Sequence, residues 1–127
     1  MKQLKLSTFL VVAAVVYAFF GLAVLFVPAE FMAYYGVAMN AGGLLVARVL
    51  GASLLAFTLV YWWSQKEPNR GVLRSVIRAS ALYNAIGIGI ALYAVQKGIA
   101  NKNGWQLVVV HALLFAGFGY FGFMKKR

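Results

Sequence analysis

The stretch Leu6-Ser7-Thr8-Phe9-Leu10-Val11-Val12-Ala13-Ala14-Val15-Val16-Tyr17-Ala18-Phe19-Phe20-Gly21-Leu22-Ala23-Val24-Leu25-Phe26-Val27 contains no charged residue. As a helix rising about 1.5 Å per residue it covers about 33 Å, enough to cross a hydrocarbon core of about 30 Å. Lipid offers no hydrogen bonds to a backbone, so such a stretch crosses as a helix or as part of a closed barrel. The apolar/polar alternation of a barrel strand is missing. Lys2 and Lys5 precede the run as they would in a signal peptide. The run nevertheless exceeds the roughly 7–15 residues of an ordinary signal core. Cleavage after Val16-Tyr17-Ala18 would discard half a span, so the stretch reads as a retained membrane helix.

Three further apolar stretches follow: Gly42–Trp63, Val72–Val95 and Trp105–Met124. The expected helices are therefore 6–27, 42–63, 72–95 and 105–124. Pro28 stops the first helix and suits the first position of a short interfacial helix over 28–35, closed by Gly36. Polar turns occupy Ser64–Gly71 and Gln96–Gly104. Short links favour an up-down arrangement. The expected fold is all-α: an integral-membrane antiparallel four-helix bundle, one transmembrane domain over 1–127.

Composition agrees with the spans. Of 127 residues 64% are hydrophobic and 11% charged, with a mean hydropathy of +0.84; soluble domains have about 45–50% apolar and about 25% charged residues. Water-soluble catalytic folds are excluded. The absence of cysteine excludes disulfides, thiolate metal sites and thiol redox chemistry.

Twelve Lys/Arg against two acids suggest nucleic acid at first sight. The spans give these charges another role. Lys2, Lys5, Lys66, Arg70, Arg74, Arg78, Lys125, Lys126 and Arg127 fall on one side, and only Lys97 and Lys102 on the other. Basic loops stay inside, so both termini are expected to be cytoplasmic. No recognition motif surrounds the basic clusters, and no nucleic-acid partner is expected. Lys66, Arg70, Arg74 and Arg78 are suited to anionic lipid headgroups, with Arg78 reaching back along its stem, or to simple topological anchoring.

Small residues at four-residue spacing are the expected helix contacts in lipid: Ala14 and Ala18 with Gly21 nearby, Gly43-Ala47-Gly51, and Ala81-Ala85-Gly89. Glycines also notch the aromatic run Phe115–Phe123. These contacts serve internal packing and homo-oligomerisation equally well. Gly36-Val37-Ala38 followed by Gly42 recurs as Gly98-Ile99-Ala100 followed by Gly104. Duplication of a hairpin and coincidence in a Gly- and Ala-rich chain both account for it.

Polar groups inside spans are costly and point to function or to helix packing. Arg48 and His111 each lie six residues into their expected helices from the same face, about 9 Å deep. Asn84 lies near the middle of the third span, and Glu30 is the acid nearest the outer mouth. One reading is an outward-opening ligand pocket with Arg48 and His111 in its wall, Glu30, Tyr34 and Tyr35 at the rim and Asn84 below. A guanidinium suits a carboxylate, a phosphate or a quinone carbonyl, and an imidazole donates, accepts or shuttles a proton. The other reading is structural: a Glu30–Arg48 ion pair, His111 on a helix carbonyl, and Asn84 bridging helices. With one His and no acid inside a span, no metal cluster, carboxylate pair or relay is assembled. No cofactor is implied, and Gly87-x-Gly89 lacks the rest of a dinucleotide fingerprint.

The run Pro28-Ala29-Glu30-Phe31, Tyr35-Gly36 and Ala47-Arg48-Val49-Leu50-Gly51-Ala52 resembles the DoxX-like small four-helix bacterial membrane proteins. The likeness covers the first half of the chain and lies in a proline ending the first helix and an arginine, then a glycine, early in the second. It implies an inner-membrane bundle, in some relatives associated with oxidoreductase or quinone-linked complexes, and puts Arg48 in the motif without assigning it catalysis. The expected function is non-enzymatic: an accessory or lipophilic-ligand-binding protein whose partners are membrane lipids, a lipophilic small molecule or quinone, and a homo-oligomer or membrane complex. The alternatives are a small oligomeric transporter or channel, and an accessory subunit of a membrane redox complex.

Overall fold

The computed structural model describes residues 4–125 and is helical, with four helices long and apolar enough to cross a membrane. Lys2, Lys126 and Arg127, which entered the orientation argument, lie outside the described residues. The chain forms two compact units, the first ending at Lys66 and the second beginning at Glu67.

In the first unit α1 spans Leu6–Phe26, α2 Pro28–Tyr34 and α3 Ala41–Ser64. Val27 closes α1 by donating its N–H to Ala23 O, and Pro28, which has no N–H to offer, begins α2. Gly36 ends α2 with φ +77°, a left-handed conformation that side chains disfavour. Its N–H donates to Ala33 O at 2.9 Å and that of Val37 to Met32 O at 3.0 Å, the paired bonds of a Schellman cap. Asn40 then caps α3, its Oδ1 accepting from Gly43 N–H at 2.8 Å.

α1 and α3 pack together and run antiparallel. Tyr17 meets Tyr61 edge-on at 5.0 Å, Gly21 faces Leu55, and Gly51 faces the Leu25 backbone. A Cβ on Gly51 would stand 2.6 Å from Leu25 N and 2.9 Å from Gly21 O. The two backbones therefore touch where both helices carry glycine, as lipid-embedded helices without a hydrophobic drive require. Gly43 has another role: the space beside its Cα is filled by Met39 and Asn40 of the preceding loop.

In the second unit α4 spans Arg70–Gln96 and α5 Gly104–Gly119, followed by a π-helical turn over Tyr120–Met124. Asn69 Oδ1 accepts from Gly71 and Val72 N–H, so α4 begins earlier than hydropathy alone indicates. Gly98 closes α4 with φ +68°, its N–H bonded to Val95 O and that of Ile99 to Ala94 O. The Gly36 and Gly98 segments thus share one cap geometry, the physical content of their sequence echo.

α4 and α5 are also antiparallel. Gly104 sits against Val95, Gly87 against His111, and Gly122 against Ile77 and Arg78. Of the stripe Ala81-Ala85-Gly89, Ala81 is buried, but Gly89 makes no contact: nothing lies within 4 Å of where its Cβ would be. Gly87, two residues earlier, makes the close approach. The last helix was expected to continue regularly to Met124; instead it widens after Gly119, and Lys125 N–H reaches Tyr120 O at 2.9 Å.

Candidate functional site

In the first unit, Arg48 is the eighth residue of α3, about 10 Å along it, and is exposed. Glu30 is exposed on α2. Among the described residues no ion pair joins them, so the Glu30–Arg48 pair of the structural reading is not formed there, and Arg48 has no hydrogen-bond partner among them. Tyr34 and Tyr35 diverge: Tyr34 is 51% exposed and Tyr35 only 4%. Tyr35 belongs to an aromatic cluster, edge-on to Tyr34 at 5.0 Å and to Phe31 at 5.3 Å, with Phe31 against Phe20 of α1 at 5.7 Å. Burial, and secondarily Tyr34, pushes the Tyr35 phenol above its ordinary pKa of 10.0.

In the second unit, Asn84 and His111 meet. Asn84 is fully buried and its Oδ1 lies 3.0 Å from His111 Nδ1. Asn84 Nδ2 donates to Ser80 O one turn back at 2.9 Å, and Ser80 Oγ donates to Val76 O at 2.8 Å. The imidazole lies in the notch left by Gly87, where a Cβ would come within 2.5 Å of Nδ1, and the Tyr83 ring meets it at 6.2 Å. Hence the bridge between helices that the structural reading gave Asn84 is made, and His111 meets Asn84 rather than the helix carbonyl of that reading. Sequence reasoning weighed Gly87 only as part of a dinucleotide motif: a glycine in an apolar helix announces a close approach but not its partner.

The basic residues separate in role. Lys66, Arg70 and Arg74 are exposed, as headgroup or anchoring residues would be. Arg78 also has an internal bond: its Nε donates to Gly122 O at 3.0 Å, and its guanidinium lies 4.8 Å from the Phe123 ring centroid. It therefore ties α4 to the π-helical turn. Among the described residues no three His, Asp or Glu side chains converge as a metal site.

Comparison with family models, curated proteins and solved structures yields no match. The geometry of the site is accordingly the basis for its functional reading.

Proposed function

We propose that this is a non-enzymatic, multi-pass accessory protein of the bacterial cytoplasmic membrane, with both termini inside, that binds a lipophilic molecule through a polar head. The observation that carries the reading is Arg48, a permanent cation inside an apolar helix, exposed and without a counter-charge among the described residues. A cation about 10 Å into an apolar helix is costly to hold against hydrocarbon, so the position suits an anionic or carbonyl-bearing group that meets it. Its planar, five-donor fork suits a carboxylate, phosphate or quinone carbonyl. The resemblance of the first half to DoxX-like proteins puts this arginine in the motif without giving it a role, and implies a quinone-linked association in some relatives. Glu30 and Tyr34, exposed nearby in sequence on α2, are the rim candidates.

Native mass spectrometry of gently extracted full-length protein tests the reading. A lipid-sized adduct is expected on the unaltered protein, is weakened in Arg48→Lys and is lost in Arg48→Leu while helicity is kept. Equal adduct on Arg48→Leu, or loss of fold as its sole effect, overturns ligand binding at Arg48. Ion flux through reconstituted vesicles that Arg48→Leu abolishes replaces it with a transport function.

A further inference from the structure

The polar chain of the second unit ends on an unused nitrogen. Because Ser80 O can only accept, the bond from Asn84 Nδ2 sets the rotation of the Asn84 amide, and its Oδ1 is the atom facing His111 Nδ1. An amide oxygen has no proton to give, so the hydrogen between them belongs to Nδ1. In the neutral imidazole Nε2 then carries a lone pair and no proton.

Nothing among the described residues bonds to that lone pair. No side-chain N or O atom lacking a partner is fully buried among them, so Nε2 lies at an accessible surface. The ring is held in place by the Asn84 bond on one edge and by the Gly87 notch on its face. His111 is the eighth residue of α5, about 10 Å into an apolar helix. Hydrocarbon supplies no hydrogen-bond donor at that depth, and an acceptor held in one orientation there selects molecules that bring one.

We propose that His111 Nε2 is the recognition atom of a second site, which takes a membrane-dissolved molecule bearing a hydroxyl donor. The site rests on the second unit alone. Its hydrogen-bond polarity is opposite to that of Arg48, which only donates, so the two sites stand or fall separately.

His111 is the single histidine of the chain. Full-length protein with isotope-labelled histidine, in phosphatidylcholine nanodiscs at alkaline pH, therefore gives one pair of imidazole nitrogen NMR signals. The expected tautomer is protonated at Nδ1 and bare at Nε2. Added para-nonylphenol is expected to shift the Nε2 signal and to bind about fivefold tighter than its methyl ether, the factor for one net hydrogen bond. Asn84→Leu is expected to return the proton to Nε2, and His111→Phe, which keeps a ring in the notch, to abolish the preference for phenol over ether. An Nε2-protonated neutral ring in the unaltered protein overturns the proposal. So does equal binding of phenol and ether, or a phenol preference that survives His111→Phe.

Discussion

Gly51 of α3 sits directly against the backbone of Leu25 in α1: a Cβ on Gly51 would stand 2.6 Å from Leu25 N. No rotamer change relieves a clash with backbone, so Gly51→Ala must separate α1 from α3. It is expected to destabilise by about 1–3 kcal/mol, the range for overpacking. Gly21→Ala is expected to be milder, because its nearest neighbour is the flexible end of Leu55. Thermal unfolding in detergent ranks the two; equal midpoints would remove the backbone contact as the cause.

Gly87→Ala is expected to expel the His111 ring from its notch and break the bond to Asn84. Gly89→Ala, with nothing within 4 Å, is the matched control and is expected to leave the histidine signals unchanged. Imidazole NMR reads both variants.

The Arg78 bond to Gly122 O makes a specific demand on geometry. Arg78→Lys keeps the charge but removes the Nε donor and the planar face over Phe123. Faster amide exchange over residues 120–125 is expected in that variant, with the membrane orientation unchanged. Exchange equal to that of the unaltered protein would leave Arg78 as an anchor only.

For Tyr35 the sign of the pH dependence follows from its raised pKa. The folded state holds the phenolic proton more tightly than the unfolded chain, so this contribution to stability is complete below the unfolded value near 10. It is lost as pH rises through the higher folded value. Tyr35→Phe is expected to flatten that alkaline decline, measured as the unfolding midpoint against pH.

Orientation is tested by cysteine labelling in a chain that has no cysteine of its own. Cysteine in place of Lys97 and of Lys125 is expected to react from opposite sides of intact vesicles. Reaction from the same side would overturn the cytoplasmic placement of both termini.

Much of the fold was legible before any coordinate. Apolar length announces each span because lipid leaves the backbone no alternative to internal hydrogen bonds. Pro28, Gly36, Asn40, Asn69 and Gly98 punctuate the helices through properties of their own: a missing N–H, tolerance of positive φ, or a side-chain oxygen within reach of free amides. The starts of α3 and α4 lie one and two residues before the hydropathy boundaries because Asn40 and Asn69 cap from just outside them.

Sequence by itself determined that the chain is helical and suited to a membrane, where its helices break, and that Arg48, Asn84 and His111 are polar residues in apolar surroundings. Those are local properties of each stretch. Tertiary structure alone decided that Asn84 holds His111, that Gly87 rather than Gly89 makes room for it, that Arg78 reaches Gly122, and that Glu30 does not pair with Arg48, which has no ion pair among the described residues. Each depends on how two helices are rotated against one another. In lipid that rotation is set by packing and hydrogen bonds between distant residues, and no one-dimensional periodicity records it.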